Sequence, residues 1–136
     1  MTDKIIKGIK NGDLRMLSRA ISLVENGHSA AEEILDRTFK QTGTSYRIGV
    51  TGPPGAGKST IVSKLGKVFR NEGKSVGIIA VDPTSPFSGG AVLGDRIRMN
   101  ELSGDDKVFI RSMATRGSLG GLSRTAQEAA DLMSAA

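Results

Sequence analysis

Gly52-Pro53-Pro54-Gly55-Ala56-Gly57-Lys58-Ser59 decides the fold of this chain. The eight residues match GxxxxGK[ST] at every fixed position. The glycines let the backbone wrap round an anion so that successive N–H groups point inward, with no Cβ in the way. A helix starting directly behind the loop aims its positive dipole end at the same anion. Lys58 is placed to reach the β- and γ-phosphates of a nucleotide, and the Ser59 hydroxyl to meet Mg²⁺. The nucleotide-binding set expected from the motif is therefore Gly52, Pro53, Pro54, Gly55, Ala56, Gly57, Lys58, Ser59 and Thr60. A chance match in so glycine-rich a chain is on the order of two per cent, and a strand before it and a helix after it lower that further.

Those flanks are legible. Arg47-Ile48-Gly49-Val50-Thr51 reads as a short strand, and helical spacing runs from about Ser59 to Asn71, with Gly73 in the position of a left-handed cap. Residues 75–81 form a near-continuous apolar run, as in a strand covered on both faces. A loop rich in proline, serine and glycine covers 82–90, a short helix is expected at about 94–102, and a strand at 108–112. Ser123 can cap a last helix reaching Met133. Alternation of strands and helices implies a parallel sheet. The expected fold class is α/β, a P-loop NTPase sheet with three strands present and incomplete, preceded by an N-terminal α-helical arm. In the arm, Asp13 can cap a helix with Leu14, Leu17, Ile21 and Val24 at helical spacing and Asn26-Gly27 as its stop. Ser29-Ala30-Ala31-Glu32 reads as a capping box for a second helix with the stripe Ile34, Leu35 and Phe39.

Composition narrows the class. The 136 residues are 38% hydrophobic and 24% charged, an ordinary soluble balance. The absence of cysteine excludes disulfides, Cys-ligated zinc and Cys nucleophiles. A net charge of +5 suits anionic ligands. No arginine–aromatic platform or basic helix stands out, which argues against nucleic acid as a partner. No apolar run approaches the ~20 residues of a bilayer span, and Met1-Thr2-Asp3-Lys4 does not open a signal peptide. The reading is a cytoplasmic protein without a membrane partner.

Several relatives share the loop. ATPases of the ParA/MinD type carry a lysine where Pro53 stands. Small-molecule kinases use the loop with an arginine-rich lid, and Arg111, Arg116 and Arg124 keep that reading open. The run Val81-Asp82-Pro83-Thr84-Ser85-Pro86-Phe87-Ser88-Gly89-Gly90-Ala91-Val92-Leu93-Gly94-Asp95-Arg96-Ile97-Arg98-Met99 resembles the MeaB/ArgK family of GTPases. These are chaperones of adenosylcobalamin-dependent methylmalonyl-CoA mutase, formerly described as transport ATPases or kinases. Phe109-Ile110-Arg111-Ser112-Met113-Ala114-Thr115-Arg116-Gly117-Ser118-Leu119-Gly120-Gly121 is similar to the family's next block, and Gly12-Asp13 with Arg19-Ala20-Ile21-Ser22-Leu23-Val24-Glu25 to its front arm. The resemblance covers nearly the whole chain.

It implies Mg²⁺ and GTP or GDP as ligands and a cobalamin-dependent mutase as partner. Lys58 and Asp95 are the implied catalytic residues, and Ser59, Asp82 and Asp95 the implied metal-associated ones. For Asp82 a turn-starting role before Pro83 competes with holding a water of the Mg²⁺ shell. For Asp95 the competitor is a carboxylate at a helix N-terminus. Arg96 and Arg98 orient phosphates or a partner or are solvated helix charges, His28 is a loop residue between two helices, and Met16, Met99, Met113 and Met133 are packing residues. The family's pattern continues with an acidic switch block and a guanine-selecting Asn-Lys-x-Asp motif, neither of which occurs among these residues. The expected division is residues 1–45 as helical arm and 46–136 as a GTPase domain truncated before those motifs. Three further expectations follow: an N-terminal fragment, self-association through an open sheet edge, and weak or absent turnover alone. The competing functions are a transport-linked ATPase or kinase of the same fold, and a nucleotide-binding assembly fragment without turnover.

Overall fold

A computed structural model of the chain describes residues 1–41, 45–51, 57–82, 102, 104–114 and 124–136. They fall into two compact units, one formed by Met1–Arg47 with Gly120–Ala136, the other by Ile48–Leu119.

The first unit is helical. Helix α1 (Thr2–Lys10) buries Ile5, Ile6 and Ile9, α2 (Leu14–Glu25) buries Leu17, Ala20, Ile21 and Val24, and α3 (Ala30–Thr38) buries Ala31, Ile34 and Thr38. Each set recurs at three- and four-residue intervals, so each helix has one apolar face to hide. Asp13 caps α2 as expected, its Oδ1 accepting from the N–H groups of Arg15 at 2.9 Å and Met16 at 3.3 Å. The capping box at Ser29 does not form: Ser29 has helical backbone angles and makes no side-chain cap bond. His28 takes its place, with Nδ1 accepting from the Ala30 N–H at 3.0 Å. An N-cap serine needs an extended backbone to turn its hydroxyl onto the helix, and Ser29 is already inside the turn. The expected stripe of α3 is also revised. Ile34 is fully buried and Leu35 partly, but Phe39 is 69% exposed, and Thr38 is the buried residue, its Oγ1 donating to the Ile34 carbonyl at 2.8 Å. The change of pitch into a 3-10 turn at Phe39–Gln41 carries the ring off the buried face. Arg37 ties α3 to α1 through Asp3 at 2.7 Å, and also pairs with Glu33 at 3.1 Å.

A further helix from the far end of the chain completes this unit. Arg124–Ala135 packs against α1, α2 and α3 and buries Ala126, Ala129, Leu132 and Ala135. Alanines on this face allow close approach between helices. Ser45 donates to Ser134 at 2.8 Å, and Arg47 pairs with Asp131 at 2.6 Å.

The second unit is α/β. Helix α4 (Lys58–Asn71) is followed by strand β1 (Val76–Asp82), which pairs in parallel with β2 (Val108–Ala114), from Val76 opposite Val108 to Asp82 opposite Ala114. The helix following β2 in sequence is that of the first unit and is labelled α5 (Arg124–Ala135). One face of the pair, Val76, Ile78 and Ala80 beside Val108 and Ile110, gathers Leu102 and the α4 residue Val62 into a single apolar cluster. Gly73 ends α4 with φ +81°, its N–H bonded to the Arg70 carbonyl and that of Lys74 to Phe69, a turn that favours a residue without Cβ. The third expected strand is not formed: residues 47–51 are outside any ladder, with Tyr46 87% and Ile48 48% exposed. Gly49 weakens a strand only five residues long. Arg47 is meanwhile drawn to Asp131, so the segment straddles the boundary between the two units.

Arg70 also donates from Nε to Asp105 at 2.8 Å and from Nη1 to the Lys74 carbonyl at 2.9 Å, joining the end of α4 to the turn before β2. The Arg70 hydrogen bond, with that of the Lys107 N–H, holds the Asp105 carboxyl below its ordinary value. A depressed carboxyl pKa contributes stability above the unfolded value, and that contribution is lost as pH falls through the folded one. The wild-type melting temperature is therefore expected to fall more steeply than that of Arg70→Ala on the acid side of the carboxylate range. The Arg70 and Asp105 side chains are 24% and 34% exposed, so solvent keeps the difference small; parallel profiles would exclude the linkage.

Candidate functional site

The glycine-rich loop ends in the described structure at Gly57, where φ is +87° and ψ 18°. A Cβ built there meets nothing within 4 Å, so the left-handed backbone, not crowding, demands glycine. The Gly57 carbonyl accepts the first bond of α4, from the Ile61 N–H at 3.1 Å. Gly57 brings no side-chain cap, and no acidic residue lies in the first turn. The turn thus carries no carboxylate of its own to compete with an outside anion for the dipole end.

Lys58 and Ser59, both half-buried, and the exposed Thr60 form that first turn. Gly52, Pro53, Pro54, Gly55 and Ala56 lie outside the described residues, as does Asp95. Asp82 closes β1 with its backbone opposite Ala114. The chain passes from α4 to β1 in the four residues 72–75, and α4 packs on the same strand through Val62. So short a turn between packed elements makes α4 run antiparallel to β1. A helix of this length spans about 21 Å and the strand about 23 Å, so Gly57 and Asp82 stand at the same edge of the unit. It is the carboxyl edge of the strands, where ligands of open α/β sheets bind. The oxygen donors proposed for a cation, the Ser59 hydroxyl and the Asp82 carboxylate, suit Mg²⁺, which takes few protein ligands and completes its shell from phosphate and water. Among the described residues, no group of three His, Asp or Glu side chains is placed to hold a metal by itself.

The arginines considered for a kinase lid do not belong to one described element. Arg111 is half-buried in β2, Arg124 belongs to the helical unit and pairs with Glu128 at 2.8 Å, and Arg116 lies outside the described residues, as do Arg96, Arg98 and Met99. Met113 is a buried packing residue, with Met16 and Met133 half-buried. Sequence reasoning passed over Gly66, which is buried in α4 beneath Leu102. A glycine inside an otherwise regular helical pattern is the signal that could have found it. No described helix is long and apolar enough to cross a membrane.

The family model described as methylmalonyl Co-A mutase-associated GTPase MeaB matches residues 17–136. A Pyrococcus abyssi protein named as a GTPase is 56% identical over 135 residues, 99% of this chain and 42% of that protein. GTPase ArgK of Escherichia coli is 42% identical over 127 residues, 90% of this chain and 38% of its own length. The mitochondrial methylmalonic aciduria type A homolog of Mus musculus is 38% identical over 141 residues, 93% of this chain and 34% of its own. The chain spans about two fifths of the length of the curated relatives it matches.

Proposed function

The chain belongs to the MeaB family of methylmalonyl-CoA mutase-associated GTPases, and on that premise we propose that it binds GTP and GDP with Mg²⁺ through residues 52–59. Within a whole protein of this family it would contribute the phosphate-binding part of a GTPase that acts as chaperone for an adenosylcobalamin-dependent mutase. One observation carries the nucleotide reading: α4 opens at Lys58 behind a left-handed Gly57, at the sheet edge where Asp82 ends β1.

In this reading the N–H groups of the first turn of α4 receive phosphate oxygens, and the Lys58 ammonium spans the β- and γ-phosphates. Ser59 would hold Mg²⁺ directly and Asp82 or Asp95 through water, the ion neutralising charge that builds on the phosphates. Lys58 stabilises charge developing at the transferred phosphoryl group, and Asp95 is the proposed group for orienting the attacking water. The names of the relatives support guanine over adenine, and positioning of the water carries much of phosphoryl-transfer catalysis.

Titration with GTP, GDP and ATP in the presence of Mg²⁺ tests the proposal. Saturable binding of GTP and GDP is the expected result, with ATP weaker. Equal affinity for GTP and ATP would reduce the claim to phosphate recognition, and no binding of any of the three would overturn it.

A further inference from the structure

Resting on the nucleotide reading above, we propose that Gly66 and Leu102 are positioning residues that set α4, and with it the phosphate-binding first turn, against the sheet. Leu102 is 3% exposed and shares an apolar cluster with Ile78 and Val108, onto which Val62 of α4 also packs. Gly66 is buried midway along α4, and a Cβ built on it would lie 2.6 Å from Leu102 Cδ1. Ordinary carbon contacts lie about an ångström further out. The backbone of α4 therefore rests on the Cδ1 end of Leu102, a side chain enclosed in turn by its packing with Ile78 and Val108. Glycine weakens a helix interior relative to alanine, and the close approach explains its presence at this point.

A helix moves as a rod. Gly66 lies about 12 Å along the axis from Lys58, so pushing the rod away at Gly66 shifts or tilts the turn that carries Lys58, Ser59 and Thr60. Recognition by fixed N–H groups tolerates little displacement; a 1 Å misplacement can cost on the order of a hundredfold in a reaction that depends on alignment. The contact thus links a buried apolar pair to the aim of the helix end.

The test is a rescue experiment with Gly66→Ala, Leu102→Val and the double variant. Valine lacks the Cδ1 atom that an alanine Cβ would strike. GDP and Mg-GTP dissociation constants are measured at a temperature where circular dichroism shows every variant folded, so that lost stability alone does not alter the readout. Gly66→Ala is expected to bind about tenfold more weakly, and the double variant to return to within about threefold of wild type. If Gly66→Ala does not fold, Leu102→Phe enlarges the same contact from the other side and is expected to weaken binding likewise. Wild-type affinity in the folded enlarged variant, or a double variant as weak as Gly66→Ala, would overturn the proposal. A wild-type chain that binds neither nucleotide would overturn the nucleotide reading as well, so the two failures are distinguishable.

Discussion

Replacing Lys58 with alanine is expected to abolish nucleotide binding by this chain at concentrations where wild type is saturated. The residue opens α4 directly behind the left-handed Gly57, half-buried, at the end of the helix that carries positive charge. Its ammonium is the one side-chain cation of the motif. The other proposed phosphate donors are backbone N–H groups and the hydroxyls of Ser59 and Thr60. Truncating one partner of a desolvated charged contact costs about 2–5 kcal/mol, which is a loss of roughly thirtyfold to several thousandfold in affinity. The fold should survive, because Lys58 is not part of the apolar cluster beneath α4 and alanine is a good helix former. Lys64→Ala, an exposed lysine further along the same helix, is the control and should bind within about twofold of wild type, a difference that exposed surface charge rarely exceeds. Calorimetric titration with GDP separates the two variants. Retained binding in folded Lys58→Ala would remove residues 52–59 as the phosphate site; equal losses in both would mean that diffuse positive charge draws the nucleotide.

How much of this was legible follows from the range of the forces involved. The motif announced the turn at Gly57 and the start of α4 because a left-handed residue, a lysine and a hydroxyl in fixed order are local chemistry. The strand Val76–Asp82 and its parallel partner were read from apolar runs and the helix between the motif and Gly73, all signals confined to a few residues. The cap at Asp13 was local as well. What failed was contextual. Residues 47–51 have strand composition, but a strand needs neighbours to bond to, and here Arg47 is engaged by a helix more than eighty residues away. At His28 and Ser29 a shift of one residue in where α3 begins moved the cap from a hydroxyl to an imidazole. Helix α1 was missed as a named element although Ile5, Ile6 and Ile9 carry its spacing, because nine residues make a weak periodic signal. The Leu102 contact was invisible, since nothing in sequence brings position 102 to position 66.

The largest stability effect is expected from Leu132→Ala, at the least anticipated piece of packing. Helix α5 reads in sequence as the last crossover of an α/β domain, yet its apolar face packs with the arm. Leu132 is fully buried, with Ala129 and Ala135 on the same face and α1, α2 and α3 around it. It is the one large side chain that α5 buries, the other buried residues being alanines. Removing it deletes its transfer free energy and leaves a cavity among helices already fitted closely to small residues, a combination that costs about 2–5 kcal/mol. A unit of four short helices is small and correspondingly marginal, so a loss of that size would unfold the helical unit near room temperature. Urea denaturation followed by circular dichroism should show the helical signal lost at much lower denaturant. Arg124→Ala on the exposed side of the same helix should change stability by no more than about 0.5 kcal/mol. A loss under about 1 kcal/mol for Leu132→Ala would mean that α5 is not seated in the arm. A large loss would make residues at both ends of this chain, far apart in sequence, parts of one cooperative helical unit, with the phosphate-binding segment inserted between them.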